Sequence, residues 1–367
     1  MLPLAPCGAP TLEDMNRSLL CITVLLTAAL SNATAQVASS KGEAAVFADG
    51  EYHGAEEFKK DAFDLLRFAF EREPGVWTRA LDAPIGPRPP ARVGVGALRA
   101  TVVNHSTVLL QFDGINVLTD PIWSTRASPV QWAGPKRFVP PGIAFADLPA
   151  IDVVLISHDH YDHLDLPTVR RLHAAFNPLF IVGERQGELL REQGVTRIQE
   201  LNWGQSAALP NGSKVWGQES RHWCGRSAFS RNTTLWLSYV LETRGGPIYF
   251  AGDTGFGAQF EASEKAFGPM RLALLPIGAY KPRWLTAYQH MEPCEAARAH
   301  LALAAAHSIA IHYGTFELAD DGQTEPVTEL ARCLAVQQIP AASFTATPFG
   351  SGYDVPPLAS SLYRLSP

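Results

Sequence analysis

The chain has 367 residues, of which 46% are hydrophobic, so it is long and apolar enough to bury a substantial core. Its formal net charge is −6 and it contains no basic run, which argues against a nucleic-acid partner. Because internal repeats and low-complexity tracts are also lacking in the sequence, we expect one large α/β domain rather than several small ones.

The N-terminal residues have the pattern of a secretory signal. An apolar run from Leu19 to Leu30 precedes the small-residue sequence Ala33-Thr34-Ala35. The run is too short to span a bilayer comfortably. We therefore expect residues 1–35 to be a cleaved signal peptide rather than a retained membrane anchor. Met15 would be a more ordinary start than Met1. We therefore expect an exported protein, periplasmic or held peripherally at a membrane.

A cleaved chain would keep three cysteines. Cleavage after Ala35 would leave Cys224, Cys294 and Cys333, of which at least one must be unpaired within a monomer. No disulfide framework is therefore implied by the cysteine count and spacing.

Residues 36–97 are predicted to form a leader, an amphipathic helix and a proline-rich linker. From Ala55 to Phe70, apolar residues recur at three- and four-residue spacing, with charged residues on the other side. We favour a helix packed on the body of the protein over one that contacts a membrane. Four prolines between positions 84 and 90 predict a stiff linker, and the main domain is expected over residues 98–367.

The most informative motif follows a short β-branched run. Residues 153–156 predict a buried strand, and three histidines and an aspartate come within the next seven positions: His158, His160, Asp162 and His163. A loop that leaves a strand end can bring imidazoles and carboxylates together without burying them unpaired. These ligand types suit zinc, so the pattern predicts a metal site rather than a solvated polar loop.

Three further candidate ligands lie downstream. Asp253 follows the short apolar strand predicted over residues 247–251, and its carboxylate could bridge two cations. His312 follows a second predicted strand, and His222 lies among turn-forming residues. Each is weak evidence alone, because a histidine at a strand end is more often an ordinary surface or core residue. Their order and context together predict a site for two metals.

These residues resemble the signature of the metallo-β-lactamase fold, His-x-His-x-Asp-His followed by His, Asp and His. Within that superfamily the chain resembles the N-acyl-phosphatidylethanolamine-hydrolysing phospholipase D family from about Thr101 to Pro326. Asn104 departs from the pattern, because the family more often has glycine there. The matching stretches are Thr119–Pro129, Gly134–Phe138, Ile156–Asp165, His222–Cys224, Phe250–Gly255, Phe267–Pro269, Pro276–Trp284, Tyr288–Pro293 and Ala310–Phe316.

The resemblance implies an αββα sandwich, with two central mixed sheets and helices on the outer faces. It also implies two zinc ions per chain, with Asp253 between them. One ion would be held by His158, His160 and His222, and the other by Asp162, His163 and His312. His105 and Asp120 are then best interpreted as residues that orient ligands by hydrogen bonding.

The activity that the resemblance implies is zinc-dependent phosphodiester hydrolysis of phospholipase D type. N-acyl-phosphatidylethanolamine or related glycerophospholipids would yield phosphatidic acid and the headgroup alcohol. The candidate catalytic residues are Asp162 and His290. His290 would contact the phosphoryl group or donate a proton to the leaving alkoxide, with a purely structural role as the alternative. The candidate substrate contacts are Tyr161, Gln289, Arg283 and Trp284.

Two other functions stay open at this stage. Metal ligands alone do not select phosphorus over carbon, so the protein could hydrolyse another ester, such as a lactone or a cyclic phosphodiester. A lipid-binding protein is the third hypothesis, although a complete ligand set argues against it. The expected partners are a phospholipid substrate and a peripherally bound membrane surface, and the resemblance suggests a homodimer.

Overall fold

The computed structural model describes residues 41–54, 62–80, 82–83, 85–227 and 229–359. The predicted signal peptide and the first turns of the predicted amphipathic helix lie outside the described residues. At the start of the described chain, strands β1 (Val46–Ala48) and β2 (Glu51–His53) form an antiparallel hairpin.

The first large sheet has seven strands in the order β16-β3-β4-β5-β6-β7-β8. The β5 to β8 strands run parallel to one another, whereas β16, β3, β4 and β5 pair antiparallel. The sheet is therefore mixed. Its strands are β3 (Leu98–Asn104), β4 (Thr107–Phe112), β5 (Ile115–Thr119), β6 (Val153–Leu155), β7 (Leu179–Gly183), β8 (Ile198–Leu201) and β16 (Gly352–Asp354).

The second large sheet also has seven strands, in the order β15-β14-β13-β12-β11-β10-β9. Its β12 to β15 strands are parallel and its β9 to β12 strands are antiparallel. Its strands are β9 (Ser206–Ala208), β10 (Lys214–Gln218), β11 (Ser238–Leu241), β12 (Ile248–Phe250), β13 (Leu272–Pro276), β14 (His307–Ile311) and β15 (Phe344–Thr345).

Helices cover the outer faces of both sheets. A short 3-10 helix spans Phe145–Asp147. The α-helices of the described chain are α1 (Ala62–Glu71), α2 (Leu166–Phe176), α3 (Gly187–Arg191), α4 (Gln259–Phe267), α5 (Arg283–Thr286), α6 (Pro293–Ala302) and α7 (Glu325–Val336).

Alternation along the strands builds three apolar layers. In β4, Val108 and Leu110 face the central core between the two sheets, whereas Leu109 faces the layer that includes Val169 of α2. A third layer packs the second sheet against α4, α6 and α7. Strands buried on both faces become nearly continuous apolar runs, as in β13 (Leu272–Pro276). The predicted αββα sandwich is thereby confirmed.

Strand direction gathers the polar loops. In the first sheet β5 and β6 are parallel, and in the second β12 and β14 flank β13 in parallel. The carboxyl ends of parallel strands meet at one edge of a sheet, so the loops that leave them are neighbours. The loop with His158 to His163 follows β6, Asp253 follows β12 and His312 follows β14.

The chain that leaves α1 is bound to the loop after β14. The guanidinium of Arg72 donates to the carboxylate of Asp320 at 2.9 Å, and the backbone N–H of Gly75 donates to the carbonyl of Asp320 at 2.8 Å. The indole of Trp77 donates to the carbonyl of Asp321 at 3.0 Å. The chain between α1 and the main sheets is therefore held against the loop that follows His312.

Within the described residues, the structure pairs Cys294 with Cys333 in a single disulfide, which the sequence did not imply. These residues are 39 positions apart in the sequence, and the packing of α6 against α7 brings their Cα atoms to 5.0 Å. Cysteine count and spacing carried no information on that packing. Cys224 is a buried free thiol, in agreement with the expected unpaired cysteine.

We predict that replacing Cys294 and Cys333 together by serine lowers the free energy of unfolding by about 3 kcal/mol, because the unfolded chain regains the entropy of an open loop. Urea denaturation of the oxidised proteins measures the difference. Reduced wild-type protein should unfold like the double variant. If oxidised wild type and variant have the same midpoint, the disulfide does not form.

Candidate metal centre

A glycine lets two loops approach at the floor of the site. Gly252 has φ 58°, and a Cβ built on it would lie 2.5 Å from Cβ of Ser157. Any larger residue would therefore push apart the loops that follow β12 and β6. The two residues after β12 thus have different roles: Gly252 allows the loops to pack closely, and Asp253 supplies its carboxylate to the site.

Three imidazoles form the first ligand cluster. Nδ1 of His160 lies 2.9 Å from Nε2 of His158 and 3.3 Å from Nε2 of His222. The other nitrogen of His222 donates to the carbonyl of Gln289 at 3.1 Å, and Nδ1 of His158 lies 2.9 Å from the hydroxyl of Ser157. These outer contacts orient both rings so that their Nε2 atoms point into the cluster.

Two carboxylates and two imidazoles form the second cluster. Oδ2 of Asp162 lies 3.2 Å from Nε2 of His163 and 3.3 Å from Nε2 of His312. Oδ2 of Asp253 lies 3.3 Å and 3.0 Å from the same two nitrogens. The same oxygen is 3.8 Å from Nε2 of His222 in the first cluster. Asp253 therefore lies between the two clusters.

The protonation states suit cation binding in the first cluster. Burial, aided by the neighbouring imidazoles, holds the pKa of His158 and of His222 well below the usual range, so both rings are neutral and have a lone pair to share. Burial alone would raise the pKa of Asp162 and Asp253. The adjacent His163 holds both pKa values well below the usual range instead, aided by the hydrogen bond from His105 at Asp162 and by the neighbouring His312 at Asp253.

Unpartnered atoms test whether the residues fit metal ions. Within the described chain, Nε2 of His163, Nε2 of His312 and Oδ1 of Asp253 are buried and make no hydrogen bond. Burying such atoms without partners is costly, and all three belong to the convergent set. Nitrogen and oxygen donors in this arrangement fit a pair of cations.

Two buried residues support the ligands, as the sequence suggested. Asp120 accepts hydrogen bonds from Nδ1 of His163 at 2.6 Å and from the hydroxyl of Ser157 at 2.6 Å. This contact places the proton of His163 on Nδ1 and leaves Nε2 for a metal. Nε2 of His105 donates to Oδ2 of Asp162 at 2.8 Å. Both contacts agree with the supporting roles predicted for Asp120 and His105.

A cavity of about 280 Å³ opens onto these residues. Its polar floor includes His160, Asp162, Asp253 and His312, and its polar wall includes Gln289, His290 and Lys281. The apolar wall is formed by Phe68, Trp223, Leu285, Leu318 and nearby alanines. The cavity thus joins a metal-ligand cluster at one side to an apolar surface at the other.

His290, the candidate catalytic residue, and Gln289, a candidate substrate contact, both border the cavity. Nδ1 of His290 is 3.8 Å from Oδ2 of Asp253, and its ring centroid is 5.3 Å from that of His222. The side chain of His290 is 12% exposed, so it remains open to the cavity. Gln289 also lines the cavity.

Tyr161 lies outside the cavity. Its hydroxyl donates to the carbonyl of Arg226 at 2.8 Å, and its ring packs under the guanidinium of Arg226 at 4.0 Å. The hydroxyl is thus engaged in holding a loop and does not line the cavity, where the sequence predicted a substrate contact.

Arg283 and Trp284 also lie outside the cavity. Arg283 donates to the carbonyl of His290 at 2.8 Å and to the carboxylate of Glu295 at 2.7 Å. The Trp284 ring lies 4.1 Å from the guanidinium carbon of Arg67. The side chain of Arg283 is thereby engaged with the protein itself and does not line the cavity.

Sequence reasoning missed several residues that complete the site. Ser157 contacts both Asp120 and His158, and only its position between a strand and the histidine cluster could have indicated this. Phe68 and Lys281 line the cavity, and Lys281 forms an ion pair with Glu325. Helical spacing identified an apolar face on this helix, but that face did not include Phe68, and spacing could not identify what the helix contacts.

Comparison with known proteins identifies relatives of this chain. A protein of Mycobacterium tuberculosis, described as uncharacterized, is 44% identical over 243 residues, which cover 65% of this chain and 64% of the relative. The N-acyl-phosphatidylethanolamine-hydrolyzing phospholipase D 1 of Caenorhabditis elegans is 37% identical over 238 residues, which cover 62% of this chain and 66% of the relative. The matches thus span slightly less than two thirds of these relatives.

Solved structures share the fold at low sequence identity. An isothiocyanate hydrolase from Delia radicum gut bacteria is 20% identical, covers 70% of this chain and 98% of its own, and has a TM-score of 0.56. A metallo hydrolase of the archaeon Ignicoccus hospitalis is 22% identical, with the same coverages and a TM-score of 0.53. These neighbours support the fold alone.

A family model described as the beta-lactamase superfamily domain matches residues 115–313, which is more than half of the chain. The matched range contains the loop after β6, His222, Asp253 and His312. The chain belongs to the metallo-β-lactamase superfamily and is related to the N-acyl-phosphatidylethanolamine-hydrolysing phospholipases D.

Proposed function

We propose that the protein is a zinc-dependent phosphodiesterase of phospholipase D type, which acts on N-acyl-phosphatidylethanolamine or related glycerophospholipids. The observation that carries this proposal is the Asp253 carboxylate, which lies between two ligand clusters at the floor of a partly apolar cavity. Relatives named N-acyl-phosphatidylethanolamine-hydrolyzing phospholipase D, at 37% and 32% identity, support the substrate class.

The residues that would hold the two zinc ions are His158, His160 and His222 for one, Asp162, His163 and His312 for the other, and Asp253 for both. Such a pair, when bound, supplies a water nucleophile at neutral pH and neutralises charge on a phosphoryl oxygen. Asp162, held in place by the hydrogen bond from His105, is the proposed catalytic carboxylate and would also bind one of the ions. Asp120 keeps His163 in the tautomer that binds metal.

His290 is the proposed proton donor. Its imidazole lines the cavity with Nδ1 3.8 Å from Oδ2 of Asp253, which suits proton donation to a phosphodiester bound at the ligand clusters. An alkoxide is a poor leaving group, so a positioned acid accelerates its departure. Gln289 would contact the same group as a hydrogen-bonding partner.

The apolar wall suits the acyl-glycerol part of a lipid. Phe68 comes from α1, Leu285 from α5, and Leu318 from the loop that follows β14. An anionic phosphodiester with apolar chains matches a cavity that is polar at the ligands and apolar beyond them. Hydrolysis of another ester is the alternative activity, and the product that is released distinguishes the two.

We also propose that the protein is exported and works at a membrane surface. The apolar run followed by a small-residue cleavage sequence supports export, and so does the Cys294–Cys333 disulfide, because such bonds persist in oxidising compartments. None of the described helices is long and apolar enough to span a membrane.

We predict about two zinc equivalents per chain, measured by elemental analysis after gel filtration in zinc-containing buffer. Asp253→Ala should lower occupancy of both positions, because its carboxylate is shared, whereas His312→Ala should mainly empty one. His173→Ala, on α2 and outside the site, is the matched control. A wild-type protein with no more than one tightly held metal would contradict a two-metal site.

The second prediction concerns the bond that is cleaved. Purified enzyme incubated with diacyl phospholipids should release phosphatidic acid rather than free fatty acid, because the ligand clusters are suited to a phosphoryl group. Mass spectrometry of the products gives the answer, and His163→Ala should abolish the reaction. Fatty acid without phosphatidic acid, also abolished by His163→Ala, would overturn the phospholipase D assignment and favour a carboxylic ester substrate.

The third prediction concerns processing. Protein recovered from its host should begin near Gln36, because the cleavage sequence ends at Ala35. N-terminal sequencing of the extracytoplasmic fraction tests this. Recovery of an intact chain that starts at Met15 in the soluble cytoplasm would rule out cleavage and export.

A further inference from the structure

One arginine near the ligand clusters does not line the cavity but hydrogen-bonds to two neighbouring segments of the protein. Arg283, the first residue of α5, has a side chain that is 29% exposed. Nη1 donates to the carbonyl oxygen of His290 at 2.8 Å, and Nη2 donates to Oε2 of Glu295 at 2.7 Å. The guanidinium thus links the His290 backbone to a carboxylate on α6.

The α6 side of this link is rigid. Glu295 and Glu292 form a capping box at the start of α6, in which the N–H of Glu292 donates to the same Oε2 at 3.1 Å. Cys294 lies between them and is joined to Cys333 of α7. The acceptor of Arg283 is therefore held by a capped and cross-linked helix turn.

The His290 side of the link is short and close to the ligands. The N–H of His290 donates to the carbonyl of Thr286 at 2.9 Å, and the N–H of Met291 donates to the carbonyl of Thr254 at 3.1 Å. Thr254 follows Asp253 in the sequence. The backbone position set by these bonds determines where the His290 ring stands in the cavity.

The chemistry of arginine suits this task. A planar guanidinium presents several donors in a fixed geometry, so it can contact a carbonyl and a carboxylate together, whereas a lysine ammonium on a flexible stem is less well fixed. The carboxylate contact is charge-assisted and stronger than a neutral hydrogen bond.

We propose that Arg283 is a positioning residue for His290: it fixes the backbone of the proton donor against α6 without touching the substrate. This proposal rests on the proposed function, in which His290 protonates the leaving alkoxide. A contact with the lipid headgroup is the competing role for Arg283, and it would change substrate binding independently of His290.

A double-mutant cycle tests the coupling. Arg283→Ala, His290→Ala and the double variant are compared with wild type, using a natural phospholipid and an activated nitrophenyl phosphodiester. On the phospholipid, His290→Ala should lower kcat by a factor of roughly 10² to 10⁴. Arg283→Ala should lower it on the order of 10²-fold, since misplacing a catalytic group by about 1 Å has that effect. The double variant should be no slower than His290→Ala.

Three readouts separate positioning from a general structural role. Both single variants should lose little on the nitrophenyl substrate, whose leaving group needs no proton, and KM for the phospholipid should stay near the wild-type value. The metal content of both single variants should also be unchanged. This readout matters because the carbonyl of Gln289, next to His290, accepts a hydrogen bond from the ligand His222. Arg298→Ala, an exposed α6 arginine that packs on Phe256, is the matched control.

Conservative variants keep the test decisive if Arg283→Ala does not fold. Arg283→Lys and Glu295→Gln should each give a smaller loss that also disappears in the His290→Ala background. Three outcomes would overturn the positioning role of Arg283. They are kcat losses that multiply in the double variants, equal kcat losses on the two substrates, and loss of metal from the single variants. Release of fatty acid instead of phosphatidic acid would overturn the proposed function, and the same cycle measured on that carboxylic ester would still report the coupling between Arg283 and His290.

Discussion

The centre of this protein depends on burying ionised carboxylates among imidazoles. Asp120, Asp162 and Asp253 all lie within a site that excludes most solvent. Charges removed from water cost several kcal/mol each unless partners compensate them. Here each carboxylate has histidine partners within about 3 Å, and nitrogen atoms left without partners point to the positions that cations would take.

The sandwich meets this constraint through strand direction and close packing. Ligands come from loops after β6, β10, β12 and β14, which belong to two different sheets. They converge because parallel strands release their loops at the same edge, and because Gly252 allows the loop after β12 to lie against Ser157. Hydrogen bonds from the histidine ligands to Asp120, Ser157 and the Gln289 carbonyl fix the tautomers and orientations of the imidazole rings.

The cavity wall beside the ligand clusters is built from a different part of the fold. The α5–α6 region supplies Leu285, Gln289 and His290 to the cavity wall, whereas Arg283, Glu292 and Glu295 hold that region from behind. The Cys294–Cys333 disulfide ties the same turn to α7. A wall assembled in this way holds the His290 imidazole at a defined distance from Asp253 while the cavity stays open.

The sequence by itself determined which residue types can bind metal and where along the chain they occur. His158, His160, Asp162 and His163 were identifiable because they follow a buried strand at a spacing that suits metal ligands. Asp253 and His312 were identifiable because they follow further predicted strands, and His222 because it lies among turn-forming residues. Apolar runs in the strands also predicted buried sheets, because strands covered on both faces need apolar residues throughout.

Tertiary structure decided which side chains meet across long sequence separations. Tyr161 and Arg283 were expected at the substrate, yet each finds a partner in a neighbouring loop or helix that no local pattern reveals. Phe68 reaches the cavity from outside the main sheets, and Cys294 meets Cys333 through helix packing. Such contacts depend on how layers pack, whereas spacing along the chain reports only the period of one element and the chemistry of its residues.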